Sequence, residues 1–152
     1  MDKQSAAAGG PGGGRSEAEP VKKPRAVRVL LVEDSLPVRE RLRSLIEESG
    51  PVEIVGEAAT VDGAIMLFRQ QRPDAVVLDL NLIDGNGGVV LTTIKRLRPA
   101  CVVLVLTNFA IPGCREACLQ LGADYFFDKF REFERVPEVL SKLRSALDDQ
   151  GR

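Results

Sequence analysis

The sequence predicts an α/β fold, a single parallel sheet of five strands with helices on both faces. Three observations point there. Five short apolar runs alternate strictly with five segments of helical periodicity from Val27 onward. Runs such as Ala75-Val76-Val77-Leu78 and Val102-Val103-Leu104-Val105-Leu106 are unbroken, which marks strands covered on both sides. Four of the runs end on chemically active groups, Glu33-Asp34, Asp79, Thr107 and Lys129, and open α/β sheets keep their chemistry at the carboxyl ends of their strands.

The elements follow in order. Val27-Arg28-Val29-Leu30-Leu31-Val32 is the first strand, and Ser35 then offers a helix N-cap with Pro37 in the first turn, where its missing N–H costs little. Val38, Leu42, Leu45 and Ile46 fall on one face of the first helix, which ends near Gly50. A second strand, Val52 to Ala58, leads to a helix with Val61, Ala64, Ile65 and Phe68 inward. The third strand runs from Ala75 to Asp79 between turn residues, Pro73-Asp74 before it and Asp84-Gly85-Asn86-Gly87-Gly88 beyond it. Val90, Leu91, Ile94 and Leu97 mark the third helix, terminated by Pro99. The fourth strand closes on Thr107, and the fourth helix starts near Pro112 and stops at Gly122. Asp124-Tyr125-Phe126-Phe127 is the fifth strand. The last helix begins near Pro137 and buries Val139, Leu140, Leu143, Ala146 and Leu147.

Right-handed crossovers leave few ways to order such strands. The expected order is the flavodoxin-like 2-1-3-4-5, a doubly wound (βα)5 sheet that sets the first and third strands side by side. Asp34 and Asp79 then project into one crevice. Asp79 alone would be either a cap for the next loop or a reactive group, and its neighbours decide between these. Several carboxylates in one crevice repel one another, and a divalent cation relieves them. Mg²⁺ suits carboxylate and carbonyl oxygens. With Lys129 as a positive charge and Thr107 as a hydroxyl, the set suits a phosphoryl group held on a carboxylate, Asp79 being the nucleophile.

Composition bounds the rest. A net charge of −1 gives no basic excess for nucleic acid, and no apolar run approaches the roughly 20 residues that cross a bilayer. The N-terminus has no signal-peptide core, and three Cys without metal-ligand spacing fit reduced thiols, so the expected location is cytoplasmic. The absence of His excludes a Ser-His triad, a His phosphocarrier and His-based zinc sites. Residues 1–25, rich in Gly and Ala, read as a disordered tail, because their composition cannot offset the entropy of ordering. They lack the strand and the Gly-Lys-Ser/Thr ending of a phosphate-binding loop, and Lys22-Lys23-Pro24-Arg25 reads as a solvated linker. The expected domain is 26–148, with 149–152 a short tail.

Four stretches, in order and at the right spacing, give the chain from Val27 to about Leu147 a resemblance to the receiver domain of two-component response regulators. They are Leu31-Val32-Glu33-Asp34-Ser35, Pro73-Asp74-Ala75-Val76-Val77-Leu78-Asp79-Leu80, Val105-Leu106-Thr107 and Gly122-Ala123-Asp124-Tyr125-Phe126-Phe127-Asp128-Lys129. The resemblance implies that Asp79 accepts a phosphoryl group from a histidine kinase or histidine phosphotransfer protein. It implies that Asp34 binds Mg²⁺ directly, that Glu33 does so largely through water, and that Asp79 and the Asn81 carbonyl complete the set. Thr107 and Lys129 would close on the phosphoryl oxygens, and Phe126 would be the switch aromatic that moves with Thr107. Asn81 and Phe109 would govern the access of hydrolytic water and so the phosphoryl lifetime.

The chain departs from the family pattern in four places. Ile83 and Phe130 stand where the family often has Pro, Asn108 replaces a small residue after Thr107, and Phe126 lacks a Tyr hydroxyl. The bond before Phe130 is expected trans, since a non-proline cis bond costs about 2.5–4 kcal/mol. None of these removes a charged or hydroxyl group of the site.

Two other features invite function. Cys114 and Cys118 suggest a thiol pair, but with Ala117 and Leu121 they recur at helical spacing, which reads as that helix's apolar face. Arg39, Arg41 and Arg43 could dock a kinase, or form an ordinary solvated face.

The expected function is a stand-alone receiver, a phosphorylation switch or relay carrier acting on an unidentified downstream protein by contact. It needs neither nucleic acid nor membrane, and has no enzymatic activity beyond its own phosphorylation and dephosphorylation. The alternative is a docking module with this fold that works without phosphorylation. An Mg²⁺-dependent phosphatase of the aspartyl-phosphate kind would need a cap over the crevice, and no insertion supplies one.

Overall fold

The structure, a computed structural model, describes residues 26–108 and 111–150. The expected tail at 1–25 and the expected lifetime residue Phe109 lie outside the described residues. Five strands form one sheet: β1 (Val27–Val32), β2 (Val52–Ala58), β3 (Ala75–Leu78), β4 (Val102–Thr107) and β5 (Tyr125–Asp128). Their order is β2-β1-β3-β4-β5 and every pairing is parallel. This is the doubly wound order that the alternation predicts.

The helices are α1 (Leu36–Glu47), α2 (Val61–Gln71), α3 (Gly87–Leu97), α4 (Cys114–Gln120) and α5 (Arg135–Gln150). Strand alternation sorts the core into two layers. Val27, Val29 and Leu31 of β1 face α1 and α5, packing with Leu42, Ile46, Val136 and Leu140. Leu30 and Val32 face α2, α3 and α4, packing with Ala64, Phe68, Val90, Leu91, Ile94 and Cys118. Both faces of β3 are buried, as its unbroken apolar run requires.

Local signals set the boundaries. Ser35 caps α1 by accepting from the Val38 N–H, with Pro37 in the first turn. Thr60 caps α2 through the Gly63 N–H at 3.0 Å, and Asn86 caps α3 through the Gly88 N–H at 2.6 Å. Between β3 and α3 the chain folds into a two-stranded antiparallel ribbon, with Asn81 opposite Asn86 and Leu82 opposite Gly85. No cis peptide occurs among the described residues.

Several expectations need correction, among them that Leu97 of α3 and Ala146 of α5 face the core, for both are exposed. α5 begins at Arg135, two residues before Pro137, and runs through Gln150. α4 begins at Cys114 and has only seven residues, because Gly113 takes a left-handed conformation (φ 87°) just before it. The expected apolar face of α4 is also narrower: Cys118 is buried and Cys114 half-buried, but Ala117 and Leu121 are exposed. A helix this short presents about two turns to the sheet, so only one position reaches the core.

Candidate functional site: an acidic centre with one lysine

Two backbone hydrogen bonds extend the sheet beyond its strands and so build the site. The Asp79 N–H donates to the Val32 carbonyl at 2.9 Å, and the Glu33 N–H donates to the Ala58 carbonyl at 2.9 Å. Both acids are thereby held at the sheet's carboxyl edge on adjacent strands. The Lys129 N–H donates to the Thr107 carbonyl at 2.9 Å, which holds the end of β5 beside the end of β4. Glu33, Asp79, Thr107 and Lys129 are the buried polar residues among those described. Such burial is costly for charged groups unless they are paired.

Pairing is what the side chains show. Lys129 Nζ lies 2.7 Å from Glu33 Oε1 and 3.0 Å from Asp79 Oδ2. The second oxygen of each carboxylate takes a backbone donor two residues on, the Ser35 N–H to Glu33 Oε2 at 3.1 Å and the Asn81 N–H to Asp79 Oδ1 at 3.1 Å. Burial pushes the Glu33 carboxyl above the usual carboxylate range, although the Lys129 and Ser35 hydrogen bonds pull the other way. Burial likewise works to discharge Lys129, but the Glu33 and Asp79 carboxylates outweigh it and hold the ammonium above its ordinary value.

Asp34 completes the centre. It is half-buried and makes no hydrogen bond or ion pair among the described residues. Oxygens of Glu33, Asp34 and Asp79 all lie within 4.8 Å of one another. Three carboxylates face one ammonium, so two negative charges are left over when all are ionised. Hard oxygen donors with that surplus fit a divalent cation of the Mg²⁺ kind.

The loop over the centre depends on close backbone approach. A Cβ on Gly87 would sit 2.4 Å from the Asp79 carbonyl oxygen and 2.8 Å from the Leu80 Cα, so no side chain fits there. The Gly87 N–H donates to the Leu80 carbonyl at 2.7 Å, which closes the ribbon. Asp84 in the ribbon's turn accepts the Val61 N–H at 2.6 Å and ties the loop to the start of α2.

The sequence brings forward every member of this centre, and the structure gathers oxygens of Glu33, Asp34 and Asp79 within 4.8 Å, with Lys129 in contact with Glu33 and Asp79. Thr107 closes β4 on the same edge. Phe126 is buried on β5 opposite Val105, two positions before Thr107 along the neighbouring strand. The Asn81 amide reaches Asp79, and its side chain is exposed.

The arginines of α1 are a correction to the solvated-face reading. Arg43 forms a two-pronged pair with Glu57 on β2, at 2.7 and 2.8 Å, and Arg39 Nε lies 3.1 Å from the same carboxylate. Arg39 also donates to the Glu33 carbonyl at 2.9 Å, which makes it a support of the centre. Arg41 lies over the Phe133 ring at 4.5 Å. The spacing of Arg39 and Arg43 put them on one face, but nothing local named Glu57 as their partner.

Comparison with known proteins agrees with this geometry. Residues 29–141 match the response regulator receiver domain family. The sensory transduction protein LytT of Bacillus cereus is 32% identical over 127 residues, covering 82% of this chain and 50% of LytT. Protein CcdB of Bacillus subtilis is 32% identical over 116 residues, covering 76% of this chain and 96% of CcdB. Among solved structures, the signal receiver domain of NarL from Mycobacterium tuberculosis superposes with a TM-score of 0.72 at 29% identity, over 80% of this chain and 98% of that one. The chain thus spans about half the length of LytT and nearly all of CcdB. An acidic centre at the β1/β3 edge, a buried lysine just past β5 and a family match over residues 29–141 lead to one conclusion: this chain belongs to the response regulator receiver domain family of two-component signalling.

Proposed function

We propose that the chain is a phosphorylation switch in which Asp79 accepts a phosphoryl group from a phosphohistidine on a kinase or phosphotransfer protein. The observation that carries the reading is the three-carboxylate centre pinned by Lys129, with Asp34 left unengaged. An Asp79 carboxylate oxygen attacks phosphorus, a new O–P bond forms, and the P–N bond breaks with its electron pair leaving on the imidazole. Lys129 has three N–H donors and spends two on Glu33 and Asp79, so the third is available to a phosphoryl oxygen. Thr107 supplies a hydroxyl on the adjoining strand, and Phe126 is the buried aromatic that would follow its movement.

Mg²⁺ fits the residues present: Asp34 and Asp79 would hold it with the Asn81 carbonyl, and Glu33 through water. When bound, the ion neutralises charge on the carboxylates and on the incoming phosphoryl oxygens. A stand-alone mode of action in the cytoplasm, by contact with a downstream protein, is part of the same proposal; the match to CcdB across 96% of that protein's length supports only that a relative can be about as long as this domain. Asn81 and Phe109 are proposed to set how readily water reaches the phosphoryl group.

The test is intact mass after incubation with acetyl phosphate, with and without Mg²⁺, beside Asp79→Asn. An adduct that requires both Mg²⁺ and Asp79 is expected. A folded protein that stays unmodified would replace this reading with a docking module indifferent to phosphorylation.

A further inference from the structure

The opposite edge of the sheet holds a second concentration of charge. α2 and α3 both end there, and each has an arginine as its C-cap residue, Arg72 and Arg98. Between the helix ends lies a cleft of about 310 Å³ lined by Phe68, Arg69, Arg72, Leu97 and Arg98. Three of these five residues are cationic and none is acidic.

Arginines near helix C-termini ordinarily answer the helix dipole and the last free carbonyls. Here that explanation covers only part of the cluster. Arg98 donates to the Pro73 carbonyl and lies over the Phe68 ring at 5.4 Å, so its guanidinium is fixed. The last carbonyls of α2, on Gln71 and Arg72, are both taken by the Arg28 guanidinium reaching from β1. Arg69 and Arg72 are therefore not needed as caps, and their side chains make no hydrogen bond or ion pair among the described residues. Two helix C-termini together offset about one positive charge at roughly half a charge each, against three guanidiniums. The cleft keeps an excess that a dianion would match.

We propose that this cleft binds a small phosphate-bearing ligand of the nucleoside phosphate class. Arg69 and Arg72 take the phosphate oxygens, for which paired guanidinium donors are suited. The Arg98 guanidinium, held over Phe68, and the Leu97 side chain give a ring a planar cation and an apolar group to pack against. The volume sits at the lower end of clefts that hold small organic ligands, roughly 300–1,000 Å³. It exceeds what a lone inorganic phosphate fills. Pro73 and Asp79 stand at opposite ends of β3, roughly 20 Å apart at about 3.3 Å per residue, so such a ligand does not touch the acidic centre. The site stands independently of the phosphorylation reading.

The experiment titrates AMP, and separately inorganic phosphate, into the full chain without Mg²⁺ while amide shifts are followed by ¹H–¹⁵N NMR. Expected are saturable AMP shifts concentrated at 68–72 and 97–98, and weaker binding of inorganic phosphate at the same residues. The Arg69→Ala/Arg72→Ala double variant should lose affinity by about tenfold or more, as loss of charge-assisted bonds implies. Its circular dichroism and its acetyl phosphate adduct should be unchanged, which separates loss of the site from loss of fold. Absence of saturable shifts at millimolar AMP, shifts confined to the acidic centre, or equal AMP affinity in the double variant would each overturn the proposal. Inorganic phosphate binding as tightly as AMP would overturn the nucleoside assignment. Binding of poly-glutamate in place of AMP would do so in favour of an acidic protein segment.

Discussion

The Lys129 ammonium is held more closely by Glu33 than by Asp79, at 2.7 Å against 3.0 Å. The lysine is thus anchored by a carboxylate other than Asp79, the proposed nucleophile. Modification of Asp79 can draw on Lys129 without first releasing it from the protein. Replacing Lys129 by Ala leaves two buried carboxylates facing each other and should destabilise the metal-free domain by about 3 kcal/mol, within the range for orphaned buried charges. Urea denaturation in EDTA measures this. Asp79→Asn should instead raise metal-free stability by about 1 kcal/mol, because it removes one of three mutually repelling charges.

Asp34 separates metal binding from folding. It is the member of the centre without a partner among the described residues, so Asp34→Asn breaks no protein contact, relieves repulsion and should raise stability in EDTA by up to about 1 kcal/mol. Mg²⁺ at a hundredfold excess over its Kd should stabilise the parent by about 2.7 kcal/mol. The variant should lose most of that gain. Thermal melts of both proteins across an Mg²⁺ series decide the point, and an equal gain in the variant would remove Asp34 from the metal site.

Glu57 gives the domain a pH dependence away from the centre. Its hydrogen bond from Arg43 holds the carboxyl below the usual range, burial opposes this, and the charges of Arg43 and Arg39 assist it. A depressed carboxyl contributes stability that is complete above its unfolded value near 4.5 and disappears as pH falls through the folded value below it. Glu57→Gln should cost on the order of 1 kcal/mol at pH 7 and low salt. The gap between variant and parent should close as pH falls through the folded value and shrink in high salt, as chemical denaturation at several pH values will show.

Gly87→Ala tests the loop over the centre. Its new methyl group would overlap the Asp79 carbonyl and the Leu80 backbone, neither of which is a flexible side-chain end. A loss of about 2–3 kcal/mol is expected, of the size of other forced overpacking. Acetyl phosphate labelling should slow as well, because the displaced atoms belong to Asp79 and its neighbour. An unchanged melting temperature would show that the ribbon moves aside freely.

The thiols should differ in reactivity. Burial pushes Cys101 up to about 11, and burial together with the neighbouring Cys114 pushes Cys118 up to about 11. At pH 7.5 both should resist a disulfide reagent in the native protein, while half-buried Cys114 reacts. Mass spectrometry after brief labelling should find one modified cysteine. Cys118 labelled as fast as Cys114 would show that α4 opens readily.

Sheet order and the acidic centre were legible in the sequence because both follow from strand ends. A buried parallel strand shows an unbroken apolar run, and the polar residue that stops it is placed at the carboxyl edge by the fold itself. Glu33, Asp34, Asp79, Thr107 and Lys129 are all of this kind. What stayed hidden were contacts between residues with no such marker. Glu57 looks like any acid on an edge strand, and its link to Arg39 and Arg43 depends on the pairing register of β2. The exposure of Ala117 and Leu121 was hidden for a related reason: spacing shows which residues share a helical face, but not how long the helix is or how much of it reaches the sheet. Gly113 cuts α4 short, and a glycine in a loop does not announce the sign of its φ.

The pairing of β1 with β2 slips once: Val29 lies opposite Ile54, but Leu30 lies opposite Gly56, so Val55 is an extra residue on the edge strand. One inserted residue reverses the parity of everything after it. Ile54 packs with the α1/α5 layer, and without the insertion Glu57 would point to the opposite layer, among the apolar side chains of α2 and α3. With it, Glu57 returns to the side of α1 and meets Arg43 and Arg39. Arg39 in turn holds the backbone of Glu33. A single odd residue on the outermost strand therefore decides which layer a chain of contacts runs through on its way to Glu33, and an edge-strand deletion at Val55 would unthread it without touching any group of the centre.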